Sequence, residues 1–158
     1  PERMIDDGAR GWHDWYRLNW GHPPLWTATT RKLKDPKWRG PDGAELVFEI
    51  KTQTDNALVL TFNCNAWGAF TPGKSAVDYT AVKELKASPD WQTVSVTLNE
   101  LAATNPKITA PLAHWRTVTE FNLSPSGETV KDGQKVKVPG KAWQGPREIR
   151  NLRWEGGE

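Results

Sequence analysis

Asn63, Asn65 and Trp67 occupy alternate positions at the end of the run Ala57-Leu-Val-Leu-Thr-Phe-Asn-Cys-Asn-Ala-Trp67. In a pleated strand that spacing puts all three on one side. Amides next to an indole suit a sugar, whose C–H patches stack on flat rings while its hydroxyls need donors and acceptors at the ring edge. Tyr79 and Phe70 could extend the rim, and Trp20, Trp26 or Trp143 could wall the site from loops. Two or three aromatic contacts with a few hydrogen bonds would give roughly −4 to −6 kcal/mol, a dissociation constant of millimolar to tens of micromolar. Binding that weak suits a module tethered to an enzyme, where local concentration supplies the rest.

Catalytic chemistry is not signalled. His13, His22 and His114 are the only histidines, and their spacing fits no zinc pattern. Glu49, Glu84, Glu120 and Glu148 occur singly on the strands, whereas a glycosidase needs two carboxylates facing each other across a cleft. No Gly-x-Ser-x-Gly elbow and no phosphate-cradling glycine loop occurs.

The chain has 158 residues, enough to bury one good core, and a single domain over 1–158 is expected. It begins at Pro1 and its only methionine is Met4, so it reads as a piece cut from a longer protein. No run approaches the ~20 apolar residues of a membrane helix. Ten tryptophans against two tyrosines and four phenylalanines mark the composition. The lone Cys64 excludes an intrachain disulfide and falls on the apolar side of its strand. The net charge is only +2, but Arg31, Lys32, Lys34, Lys37 and Arg39 cluster, and Arg147, Arg150 and Arg153 recur near the end. Such clusters attract anionic polymers, although more often they are simply a solvated face.

Alternation and turn signals must supply the scaffold. Strands are expected over about 25–33, 45–51, 57–67, 79–85, 91–98, 115–123 and 148–154, separated by Gly/Pro turns. Residues 1–24 read as irregular. Leu58, Leu60, Phe62 and Cys64 supply the core face of the central strand, opposite Ala57, Val59, Thr61, Asn63, Asn65 and Trp67. Asn99 could cap a single helical turn over 100–103. The alternation slips between Val118 and Phe121, which a bulge would absorb. Lys131-Asp-Gly-Gln134 reads as a type I′ hairpin turn. So many short strands with almost no helix indicate an all-β antiparallel sandwich or jelly roll.

Five stretches carry a resemblance. Ile5-Asp-Asp7 with Gly11-Trp12, Trp38-Arg-Gly40 before Leu46-Val-Phe48, Ser88-Pro-Asp-Trp-Gln-Thr-Val-Ser-Val-Thr-Leu98, His114-Trp-Arg-Thr-Val-Thr-Glu-Phe-Asn-Leu123 and Ile149-Arg-Asn-Leu152 follow one another in the order of a known pattern. Together they resemble the jelly-roll carbohydrate-binding modules of the galactose-binding-domain-like class, which are often appended to polysaccharide-degrading enzymes. The resemblance implies that Trp38, Trp91, Trp115 and Trp154 pack the fold, leaving Trp20, Trp26, Trp67 and Trp143 for a ligand. It also implies a structural calcium held by the first and last strands, for which Asp6 and Asp7 would be half the ligands. Arg150 stands where relatives commonly carry an acid, which argues against the ion and suggests a pairing of Arg150 with Asp6 or Asp7 instead.

The expectation is therefore a non-catalytic, monomeric module that binds a polysaccharide and neighbours a catalytic domain in an extracellular or periplasmic protein. The basic clusters tilt it towards an anionic glycan. Neither nucleic acid nor membrane is expected as a partner. The alternatives are an accessory domain with no sugar ligand, marked by one dry tryptophan patch, and a small hydrolase or lyase with clustered carboxylates.

Overall fold

The central strand folds as its alternation dictates. In β5 (Asn56–Cys64), Leu58, Leu60, Phe62 and Cys64 are buried, while Ala57, Thr61 and Asn63 on the other side are half-exposed. A computed structural model describes residues 2–6, 15–18, 27–30, 33, 35–64, 77–109, 111–124, 127–138 and 148–157. Around β5, strands β2 (Trp15–Leu18), β3 (Thr27–Thr30), β9 (Val118–Ser124), β6 (Val77–Leu85) and β8 (Ala102–Ala103) form a six-stranded sheet in the order β2-β3-β9-β5-β6-β8. A four-stranded sheet, β1-β12-β4-β7, is built from β1 (Glu2–Asp6), β12 (Glu148–Gly156), β4 (Ala44–Thr52) and β7 (Ser88–Val96). Every pairing among the described strands is antiparallel.

The two sheets bury their apolar faces against each other, which makes the molecule a β-sandwich. Leu46, Phe48 and Ile50 of β4 meet Leu58, Leu60 and Phe62 of β5 in one core. Phe48 contacts Phe121 across the sheets with 6.2 Å between ring centroids, and Phe121 stacks on its neighbour Phe62 at 4.8 Å. Burying the indoles leaves their N–H groups needing acceptors. Trp115 donates to the Ala44 carbonyl and Trp154 to that of Trp38, at 2.7 and 2.8 Å.

The slip in β9 is a bulge. Asn63 pairs with Glu120 and Cys64 with Val118, so Thr119 is the extra residue, and its hydroxyl donates to the Asn63 carbonyl at 3.1 Å. A two-stranded hairpin, β10 (Gly127–Lys131) and β11 (Gln134–Val138), turns through Asp132 and Gly133 at φ 54° and 76°. Both values are positive, as a type I′ turn requires. β10 crosses the outer side of the six-stranded sheet over β5, β6 and β8, and the Thr129 and Thr80 hydroxyls meet at 3.1 Å.

Several expectations are corrected. The segment read as irregular contains β2, a strand too short for its alternation to show. The helical turn near Asn99 lies at Leu98–Glu100 instead, because Thr97 and Glu100 form a capping box and the Thr97 N–H donates to the Glu100 carboxylate at 2.8 Å. Lys83 clamps the same carboxylate. Further 3₁₀ turns occupy Pro36–Trp38 and Trp115–Thr117, so β9 begins three residues later than its aromatic start suggested.

Candidate functional site

The outer side of the six-stranded sheet is organised by the register of β9, β5 and β6. Three rows cross it: Ser124–Val59–Val82, Asn122–Thr61–Thr80 and Glu120–Asn63–Asp78. In backbone register the middle row continues through Thr29 to Tyr16. Val59 and Thr80, each 2% exposed, mark the part of the surface crossed by β10. The row through Asn63 remains half-exposed.

Asn63 is held in a fixed orientation. Its amide nitrogen donates to Asp78 Oδ1 at 2.6 Å, and the Thr119 hydroxyl lies 3.5 Å from its amide oxygen. A carboxamide carries two N–H donors and two acceptor lone pairs. The single Thr119 hydrogen goes to the Asn63 carbonyl, so among the described residues the amide keeps a second N–H and its oxygen as an acceptor, between the carboxylates of Asp78 and Glu120 in register. The bulge at Thr119 belongs to this arrangement, since it brings a hydroxyl to Asn63 where a regular strand would place the next residue elsewhere.

The other sequence-derived candidates fall as follows. Tyr79 does not reach a rim: it pairs with Phe62 in register, faces the core and is 8% exposed. Burial, with the nearby Cys64, pushes its phenol pKa up. Trp67, Asn65, Trp20, Trp26, Trp143 and Asp7 lie outside the described residues. Of the packing tryptophans, Trp115 and Trp154 are fully buried, while Trp38 and Trp91 are half-buried. Lys37 caps Trp38 at 4.8 Å, and Arg150 and Lys51 lie 4.0 and 4.7 Å from Trp91. The side chains that sequence reasoning did not bring to the site are Asp78, Glu120 and Asn122, while Thr61 was already on the outer face of β5. Their signal was pairing to β5, which only the register reveals.

The side chains of Asp6 and Asp7, the partners expected of Arg150, lie outside the described residues, and Arg150 takes Glu49 as a partner. Its Nε donates to Glu49 Oε1 at 2.8 Å, and Arg153 Nη1 donates to Glu49 Oε2 at 2.8 Å, with Asn151 Nδ2 at 3.3–3.4 Å from the same carboxylate. Burial would raise the Glu49 pKa, but the hydrogen bonds from Arg150, Asn151 and Arg153 and the Arg150 charge outweigh it and hold the carboxyl below its ordinary range. Asp6, proposed as a calcium ligand, aligns in register with Leu152 beside this cluster. The surroundings do not fit the ion: the Glu49 carboxylate is already engaged by two guanidinium groups, whose charge opposes a divalent cation. Among the described residues no three His, Cys, Asp or Glu side chains converge.

No family model and no curated protein matches the chain. Among solved structures it is similar to one described as a family 11 carbohydrate-binding module from Clostridium thermocellum in complex with a beta-1,3-1,4-mixed-linked tetrasaccharide. The identity is 12%, the TM-score 0.53, and the match covers 99% of this chain and 96% of that one. At that identity the likeness is one of fold, and the chain is built on the same antiparallel β-sandwich as a carbohydrate-binding module.

Proposed function

We propose that this chain is a non-catalytic module that binds a polysaccharide on the outer side of its six-stranded sheet, centred on Asn63. The observation that carries this reading is the row Glu120–Asn63–Asp78, a polar strip with an oriented amide at its middle. The fold it shares with a module complexed to a tetrasaccharide supports it. Trp67, four residues beyond Asn63 in sequence, is the stacking plate of this proposal, and Asn65, Trp20, Trp26 and Trp143 are its further candidate contacts. Attachment to a carbohydrate-active enzyme outside the cell belongs to the same reading.

The described charges beside Asn63 favour a neutral glycan over an anionic one. Carboxylates flank Asn63 on both sides, and like charge disfavours a uronate or sulfate there. Of the basic residues that had suggested an anion, Arg150 and Arg153 belong to the other sheet and are paired with Glu49, while Arg31, Lys32, Lys34 and Arg147 lie outside the described residues. Migration through native gels containing mixed-linked β-glucan or polygalacturonate tests the reading. Retardation by the neutral polymer, lost in Asn63→Ala and Trp67→Ala with little change in melting temperature, is expected. Normal migration in every polysaccharide gel would instead favour the accessory-domain reading, and turnover of a polysaccharide by the isolated chain would favour an enzyme.

A further inference from the structure

The outer side of the six-stranded sheet changes character along β5. At one end stand Thr61 and Asn63, polar and half-exposed; at the other stand Ala57 and Val59, with Val82 opposite Val59 in register. Alternation puts all four of these β5 residues on the outward side, yet Val59 is only 2% exposed. The β10–β11 hairpin crosses this apolar end. β10 passes over β5, β6 and β8, and the Thr129 hydroxyl meets that of Thr80, itself 2% exposed, at 3.1 Å. The polar end of the face, with Thr61, Asn122 and the row Glu120–Asn63–Asp78, stays half-exposed beside it.

The hairpin belongs to neither sheet. β10 and β11 pair only with each other, and Gln134, Lys135, Val136 and Lys137 of the outer strand are all exposed. A lone two-stranded hairpin is marginally stable, so its packing on the sheet holds it in place. Stacked β-layers lie about 10 Å apart, so β10 rises above the face as a wall of that height. Two residues along a strand span about 7 Å, which separates the Asn63 row from the row that holds Thr80. One unsubstituted sugar chain laid across the strands on the Asn63 row fits that width. A branch directed along the strands towards Thr80 strikes the wall. We infer that β10 is a steric gate of the proposed site, admitting a linear neutral glycan and turning away one substituted on the side that faces the hairpin. This inference rests on the sugar reading and adds to it which polymers the face refuses.

Native gels containing either mixed-linked β-glucan or xyloglucan, a β-glucan whose backbone carries xylose branches, test it. The wild-type chain should bind the branched polymer at least about tenfold more weakly than the linear one, because specificity here comes from a clash. Gly127 and Val138 pair in register, so a Gly-Gly link in place of residues 128–137 closes the gap that the hairpin leaves. The shortened chain should keep linear binding within about threefold and gain about fivefold or more on xyloglucan. Thr80→Cys combined with Thr129→Cys, oxidised to a disulfide, covers the case in which the shortened chain does not fold. It fixes the wall in place, so linear binding and exclusion of the branched polymer should both match the wild type. A wild-type chain that binds both polymers alike would overturn the inference and leave the sugar reading standing. So would a shortened chain that binds the linear polymer and still refuses the branched one. Loss of linear binding in the disulfide-locked chain would overturn it too, since the ligand would then need the surface beneath β10. A wild-type chain retarded in neither gel would remove the sugar reading and this inference with it.

Discussion

Trp115 and Trp154 pack at 5.0 Å between ring centroids, tilted by 54°, and Gly40 lies against both. A Cβ added at Gly40 would sit 2.7 Å from Trp154 Cη2 and 2.8 Å from Trp115 Cβ. The rings cannot retreat, because each indole nitrogen is tied to a carbonyl and each side chain is fully buried. Gly40→Ala should therefore cost about 1–3 kcal/mol, as overpacking of a close-packed core does. Urea unfolding followed by tryptophan fluorescence reads this as a lower midpoint at unchanged slope.

Acid should unfasten the four-stranded sheet. The Glu49 carboxyl is held below its ordinary range in the folded chain, so it contributes stability present above the unfolded value of about 4.3 and lost as pH falls through the depressed folded one. Glu100, where burial is outweighed by the Lys83 and Thr97 hydrogen bonds, carries the same sign. Glu49→Gln should cost about 3–5 kcal/mol at neutral pH, leaving two guanidiniums facing a neutral amide. The gap from wild type should narrow steadily below about pH 4. Denaturant midpoints from pH 7 to 2.5 check both statements.

Cys64 is expected to be inert. Burial, with Asp78 adding to it and the Thr117 hydrogen bond opposing it, pushes its thiol up to about 11, and nucleophilic attack needs the thiolate. A disulfide reagent at pH 8 should label the native chain slowly, at a rate that rises with denaturant as unfolding does. Rapid stoichiometric labelling without denaturant would contradict the burial.

What was legible in the sequence was what is written locally. Period two in β5 assigned its core face, Asp132-Gly133 announced the hairpin turn, and the slip between Val118 and Phe121 announced a bulge. The parity of β6, with Ala81 and Leu85 inward, places Tyr79 inward as well, so the rim assignment conflicted with a pattern already in view. Arg150 was different. Its partner Glu49 is 101 residues away, and only the pairing of β12 with β4 brings them together. The same holds for Asp78 and Glu120, which flank Asn63 through register rather than through sequence. Short elements escaped too, because four residues in β2 offer too few alternations to distinguish a strand from a loop.

The charge of the candidate face should be transferable. If carboxylates beside Asn63 disfavour anionic glycans, reversing one of them should change the preference without changing the fold. Glu120 is half-exposed on the outer side of β9, so a longer cationic side chain can reach solvent there. Glu120→Lys should be retarded in polygalacturonate gels that the wild-type chain passes through. The effect should fade above about 0.2–0.3 M salt, as expected for exposed charges beyond a shortened Debye length. Retardation by neutral β-glucan should change by no more than about threefold, because a single rim charge alters selectivity and association more than the stacking and amide contacts that hold a neutral sugar.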